Sequence, residues 1–182
     1  DISKAIIERG IKITWSCSAR VDRVTKEMLK WMKKSGCKLI CYGGESASQE
    51  TLKRTKKGTT IEQTRNAIRL TKKAGIIAHI NFMIGFPWEN RAEMEKTIKL
   101  AIDTDADTAQ FSLVFPHPGS RMYDEAIKNK WFHDEVLNKI EMFDMTQGPI
   151  LKTLVPREEL TKIVNKSHAR FFFRPSYIIK NI

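Results

Sequence analysis

Cysteine is scarce in this chain of 182 residues: there are three, an odd number at low density. That excludes a disulfide-stapled secreted scaffold and points to a reducing compartment. No apolar run approaches the roughly 18 residues that a membrane-crossing helix needs. The N-terminus, Asp1-Ile2-Ser3-Lys4, has neither an apolar signal region nor an initiator Met. Low-complexity linkers are absent, as are a Ser/His/Asp order, a phosphate-binding glycine loop and a paired-carboxylate motif. With 41% hydrophobic and 29% charged residues, the composition is that of a globular domain and not of a disordered or collagen-like chain. The expectation is a basic, soluble, cytoplasmic chain that is part of a longer polypeptide.

Acidic residues are outnumbered, 21 to 32, for a formal charge of +11. The excess is uneven. Residues 1–45 carry 10 basic and 5 acidic groups and residues 46–75 carry 8 and 2, whereas residues 76–135 carry 6 and 10. An RNA-binding or RNA-modifying module is one reading of such a surplus. A solvated outer helix face is the other, and the bland reading of most charge runs. Aromatic residues are not interleaved with the basic runs, as a platform for single strands requires.

Three segments repeat one piece of punctuation. Glu8-Arg9-Gly10-Ile11, Lys34-Ser35-Gly36-Cys37 and Lys73-Ala74-Gly75-Ile76 each run from a helical pattern through Gly into an apolar, β-forming stretch. Strands are expected at Ile11–Ser16, Lys38–Gly43, Ile76–Ile84 and Thr108–Phe115. Their starts lie 27, 38 and 32 residues apart, room for one helix per connection. Val24, Met28, Trp31 and Met32 form one helical stripe. Thr60-x-x-Gln63 reads as a capping box, and Asn90-x-x-Glu93 opens the next helix. Alternating strands and helices predict an α/β fold with a parallel sheet, as a barrel or a doubly wound sheet. Beyond Ser120 the rhythm changes: a helix over 121–129, an irregular stretch over 130–155 with a turn at Gly148-Pro149, then a helix from Pro156 towards Arg174-Pro175. This divides the chain into a core, 1–130, and a partly helical C-terminal appendage, 131–182.

Ligands of parallel α/β folds gather at the carboxyl ends of the strands. Those ends read Cys17-Ser18-Ala19-Arg20, Tyr42-Gly43-Gly44-Glu45-Ser46, Ile84-Gly85-Phe86-Pro87-Trp88-Glu89 and Phe115-Pro116-His117-Pro118-Gly119-Ser120. Glu45 behind two glycines is the most informative, since a carboxylate there can accept from two vicinal hydroxyls or from an amine. Its alternative is an ion pair with a neighbouring Arg beside glycines that only turn the chain. His79 reads as a hydrogen-bonded core residue and His117 as a rigidly placed loop residue, while His133 and His168 have no partner pattern. Cys37 and Cys41 read as buried small hydrophobes, because no third metal ligand follows at usable spacing.

Taken in order, these motifs resemble the radical S-adenosylmethionine (radical SAM) superfamily, and most closely its cobalamin-dependent iron–sulfur oxidoreductase branch. The stretches that carry the resemblance are Trp15–Asp22, Leu29-x-x-Met32, Ser35–Cys37, Tyr42–Ser48, Leu52–Gly58, Ala74–Ile76, Phe82–Pro87 with Glu89, and Phe115–Ser120. Val155–Leu160 and Arg170–Pro175 extend it through the tail. The resemblance implies the last four strands of a six-stranded partial (β/α) TIM-like barrel, followed by the helical appendage. It implies a parent enzyme in which a 4Fe-4S cluster reductively cleaves S-adenosylmethionine to a 5′-deoxyadenosyl radical. The outcome would be oxidoreduction or methyl transfer through cobalamin on a separate N-terminal domain, with a small-molecule or lipid-like substrate. By the same resemblance Glu45 and Ser46, behind Gly43 and Gly44, lie near the ribose and methionyl part of S-adenosylmethionine, and Arg20 lies near its carboxylate. Ile84 and Gly85 pack by the adenine, Glu89 holds that loop, and Pro116, Pro118 and Gly119 line the base through their backbone. The sequence departs from the family in three places. The Cys-x-x-x-Cys-x-x-Cys motif is absent, so the chain has no metal ligands of its own; Gly44 stands where Ile or Val is usual; Trp88 stands where Gly is common. Besides the RNA module, a non-catalytic α/β scaffold is the remaining alternative reading.

Overall fold

Three of the glycine hand-offs fold as their residue types require. Gly10, Gly36 and Gly75 all take positive φ, 64°, 95° and 70°, which a side chain would disfavour. A computed structural model describes residues 2–137 and 148–181. The centre of the stretch expected to be irregular, 138–147, lies outside the described residues.

Four strands, β1 (Trp15–Ala19), β2 (Cys37–Glu45), β3 (Ile77–Ile84) and β4 (Thr108–Leu113), form one parallel sheet in the order β1-β2-β3-β4. After α1 (Ile2–Glu8), the crossovers carry α2 (Lys26–Lys34), then α3 (Gln49–Arg54) with α4 (Ile61–Lys73), then α5 (Arg91–Asp103). Thr60 with Gln63 and Asn90 with Glu93 form complete capping boxes at the starts of α4 and α5. Downstream lie α6 (Arg121–Lys128), α7 (Asp134–Leu137), α8 (Arg157–Phe172) and α9 (Pro175–Asn181). No helix among the described residues is long and apolar enough to cross a membrane.

Strand alternation gives the sheet two unlike faces. Ile40 and Tyr42 of β2, Ala78, Ile80, Phe82 and Ile84 of β3, and Phe111 of β4 are buried on the helix side. They pack with Leu29, Ile68, Met94 and Ile98, each fully buried aliphatic contributing about 1.5–3 kcal/mol. Tyr42 brings a hydroxyl into this core, where it meets Thr71 Oγ1 at 2.7 Å; burial pushes its pKa up to about 12. The opposite face carries a polar row. Asn81 donates to Cys41 Sγ at 3.0 Å, its Oδ1 lies 3.1 Å from His79 Nε2, and His79 Nδ1 lies 2.8 Å from Thr108 Oγ1. His79 is thus hydrogen-bonded as expected, but half-buried on the open face.

Two expectations need correction. The first strand starts at Trp15, not Ile11, because the pairing edge offered by β2 begins at Cys37; Ile11 and Ile13 stay exposed. Cys41 is not a buried hydrophobe like Cys37. The register slips where Trp15 faces Cys37 but Ser16 faces Leu39, so the extra residue of β2 moves Cys41 to the open face.

The tail is built into the same core. Leu160, Ile163 and Phe171 of α8 join the sheet cluster, and α8 covers the edge of β4. There the Phe111 N–H donates to His168 Nε2 at 3.2 Å, while His168 Nδ1 donates to the Val164 carbonyl at 3.0 Å. The sequence offered no partner for this histidine; its job is to cap a strand edge. Phe171, fully buried against Phe111 and Tyr177, makes a direct test. Phe171→Ala is expected to lower stability by about 3–5 kcal/mol in a single urea transition. A separate transition for the tail, with the sheet unfolding at its original midpoint, would contradict this integration.

Candidate functional site

β2 ends in Gly43-Gly44-Glu45, with Ser46 just beyond, and its two glycines face different walls. A methyl group on Gly44 would come within 2.8 Å of the Phe82 ring and 2.9 Å of Ile80, so the packed helix side admits only hydrogen. On the other side a methyl group on Gly43 would come within 2.8 Å of Lys57 Nζ, because Lys57 and the Glu45 side chain fold back over that glycine. Glu45 takes φ 60°, and the Ser46 N–H closes onto the Gly44 carbonyl at 2.9 Å. Left-handed backbone at a residue with a side chain costs on the order of 1–3 kcal/mol and gathers at functional sites. The β2–β3 register slips at this point too.

Lys57 Nζ sits 2.5 Å from Glu45 Oε1, with the two side chains 22% and 25% exposed. Arg20, at the end of β1, grips both carboxylate oxygens of Asp22, at 2.9 and 3.1 Å, and donates to the Lys57 carbonyl at 2.9 Å. Its guanidinium holds the Asp22 carboxyl below the usual carboxylate range. Arg20, Gly43 and Glu45 therefore come together with a cation that sequence reasoning missed. Lys57 was hidden in a basic run; its signal is a lysine directly before Gly58, in the loop that follows the glutamate.

Ser46 and Glu89 form a second, interior group. Glu89 is fully buried, and its Oε1 accepts from Ser46 Oγ at 2.7 Å and from Thr51 Oγ1 at 2.8 Å. Thr51 in turn accepts from Trp88 Nε1 at 3.1 Å, and Ser46 accepts from the Ser48 N–H at 3.0 Å. Glu89 Oε2 is buried with no hydrogen-bond partner among the described residues. Burial pushes the Glu89 carboxyl above its ordinary pKa, opposed by the two hydroxyls. This arrangement suits the loop-holding role expected for Glu89. Ser46 differs from expectation, since its hydroxyl is spent inside the protein. Ile84 differs likewise, with its side chain enclosed in the helix-side core.

The remaining loops complete the rim. Gly85, at φ 93°, lies under Leu160 of α8, whose methyl groups a Cβ would meet at 3.6 Å. Pro116 is buried, while Pro118 and Gly119 are exposed, and Gly119 takes φ 81° with open space beside it. Trp88 is sandwiched: Arg54 stacks over its ring at 3.9 Å, Phe86 lies 5.2 Å away and Trp131 5.6 Å away. The departure from a small residue at 88 thus ties α3 to the segment after α6.

A family model described as the Radical SAM superfamily matches residues 1–101. The chain belongs to the radical SAM superfamily. It is 37% identical over 183 residues to an uncharacterized methyltransferase of Pyrococcus horikoshii, covering 100% of this chain and 39% of that protein. It is 29% identical over 185 residues to an anaerobic magnesium-protoporphyrin IX monomethyl ester cyclase of Rubrivivax gelatinosus, covering 98% and 32%. The chain thus spans less than two-fifths of these relatives. Among solved structures, the radical S-adenosylmethionine methyltransferase TsrM of Kitasatospora setae, with cobalamin and a 4Fe-4S cluster bound, superposes with TM-score 0.64 at 21% identity, over 70% of this chain and 27% of that one. The cobalamin-dependent enzyme OxsB gives TM-score 0.50 at 29% identity, over 77% and 20%. The sheet is therefore part of the radical SAM barrel.

The thiols of this radical SAM chain do not fit a cluster. Burial pushes the Cys17 thiol up and the Cys37 thiol to about 11, and Cys37 donates to the Leu39 carbonyl at 3.6 Å. Cys41 accepts from Asn81 instead. Among the described residues no group of three His, Cys, Asp or Glu side chains could hold a metal ion.

Glu89 yields a pH signature. Its folded pKa is raised, so the fold favours the protonated carboxyl: the contribution is present at low pH and is lost as pH rises through the folded value. Glu89→Gln keeps the acceptor for Ser46 and Thr51 without the charge. Its melting temperature relative to the parent is expected to improve as pH rises above the ordinary carboxylate value, about 4, and to level off once the raised folded value is passed. A difference that is flat or shrinks with pH would contradict the buried-carboxyl reading.

Proposed function

We propose that this chain supplies the S-adenosylmethionine-binding rim of an enzyme that cleaves S-adenosylmethionine reductively. Ligands for the iron–sulfur cluster would come from residues outside this sequence, since the three thiols here do not fit one. Cobalamin-assisted methyl transfer or oxidoreduction is the proposed outcome, supported by likeness to the cobalamin-bound methyltransferase TsrM, to the cobalamin-dependent enzyme OxsB and to an anaerobic cyclase.

The observation that carries the reading is Glu45, held in left-handed backbone over Gly43 by Lys57. A carboxylate so fixed accepts from two vicinal hydroxyls, which in S-adenosylmethionine are those of the ribose. Arg20 would take the methionyl carboxylate. Gly85 and the backbone of Pro116, Pro118 and Gly119 would border the adenine, with Ile84 and Ser46 acting through their backbone. Glu89 would keep the two loops in register. The substrate's place in this reading is the uncovered sheet face. Its Cys41–Asn81–His79–Thr108 row has no carboxylate, lysine or arginine and suits a polar, uncharged group.

Titrating the isotopically labelled chain with millimolar S-adenosylmethionine is expected to shift the amides of Glu45, Ser46, Gly85 and Gly119 at low affinity. Glu45→Gln is expected to weaken binding by about tenfold or more, the value of one charge-assisted hydrogen bond. Shifts elsewhere, or equal affinity in the variant, would sink the assignment. Supplying iron and sulfide to this chain is expected to give no stable cluster; a stable one would show that the thiols do serve as ligands.

A further inference from the structure

On the helix layer, away from the strand ends, α2 and α4 enclose a groove of about 420 Å³. Its floor is apolar, with Ala74 at the surface and Leu29 and Leu70 buried beneath it, and its walls are lysines. Lys26, Lys30 and Lys34 stand at i, i+4 and i+8 on one face of α2, with Lys33 beside them and Lys73 facing them from α4. All five are exposed. No carboxylate and no aromatic ring lines the groove.

Helix stability explains only part of this. Lys33, Lys34 and Lys73 lie in last turns, where cations complement the helix dipole. Lys26 is the first residue of α2, where a cation opposes that dipole, and like charges four apart repel along Lys26, Lys30 and Lys34. None of the five forms an ion pair among the described residues. Among the described residues the partners of these lysines are uncharged: Lys33 donates to the Gly75 carbonyl, and Lys34 stands 5.4 Å from the Trp31 ring. Next to them, Lys72 of the same α4 is paired with both Asp105 and Asp107. The chain thus neutralises charge close by and leaves this groove uncompensated.

We infer that the groove is a docking site for an acidic amphipathic helix of a partner protein. Carboxylates of that helix would meet the lysine walls, and an apolar side chain would rest on Ala74 and the lysine methylenes above the buried Leu29 and Leu70. Charge complementarity selects the acidic face; the apolar floor selects protein over RNA, whose bases would find no ring to stack on.

The test uses this chain and a fluorescein-labelled helical peptide of Glu, Ala and Leu, with single-stranded oligouridylate as the second probe. Saturable peptide binding that weakens with salt is expected, with tighter binding of the peptide than of oligouridylate. The triple variant Lys26→Glu, Lys30→Glu and Lys34→Glu is expected to lose about tenfold or more in affinity, and the matching triple Arg variant to keep it. Melting curves report whether each variant is folded. Should the Glu variant not fold, Lys30→Ala with Lys34→Ala serves, with a smaller loss expected. Absence of saturable peptide binding, unchanged affinity in the Glu or Ala variants, or preference for oligouridylate would overturn the proposal.

Discussion

One buried carboxyl group joins the ends of β2 and β3. Glu89 enters the interior from the loop after β3 and takes hydroxyls from Ser46, just past the end of β2, and from Thr51 on α3. A carboxyl without an exposed oxygen is costly to bury, so the site holds only while both hydroxyls stay in place. Thr97 of α5 adds a further tie by accepting the Ala47 N–H at 2.9 Å. The loop that carries Glu45 is therefore braced from two neighbouring helices, and its strained backbone at Glu45 is sustained by contacts made elsewhere. Trp88 links the same brace to Arg54 and Trp131, extending it to the second apolar cluster around Phe86, Val114 and Phe132.

The sheet serves this rim through its two unlike faces. Packing on the helix side is dense enough to forbid a methyl group at Gly44, which fixes where β2 turns. The open face bears the Cys41–Asn81–His79–Thr108 row, hydrogen-bonded from strand to strand, while Arg20, Glu45 and Lys57 cluster where the strands end. Rigid apolar packing on one side thus positions a small set of polar groups on the other, as a ligand-binding α/β sheet requires.

Much of this was legible in the sequence. Helix-Gly-strand punctuation located three of the four strands to within a few residues, an apolar β-forming run marked the fourth, and two capping boxes marked α4 and α5. The ends of the strands named the rim. What stayed hidden depends on contacts far apart in the chain. Only its place directly before Gly58 distinguishes Lys57 from its basic neighbours; its pairing with Glu45 follows from how α3 returns the chain to β2. Cys41 was misplaced because period-two alternation carries no sign of the extra residue near Lys38. His168 lacked a partner in sequence because its acceptor role is to a backbone N–H of β4, 57 residues away. Ser46 and Thr51 read as ordinary turn and helix residues until a buried glutamate is placed between them.

The central claim is that the buried Glu89 carboxyl holds the rim in place. Amide hydrogen exchange in Glu89→Ala, compared with the parent, tests it most directly. Faster exchange, by about tenfold or more, is expected at Glu45, Ser46 and Ala47 and around Trp88, with the centres of β2 and β3 still protected. Unchanged exchange at Glu45 and Ser46, or an increase spread evenly over the whole sheet, would contradict it.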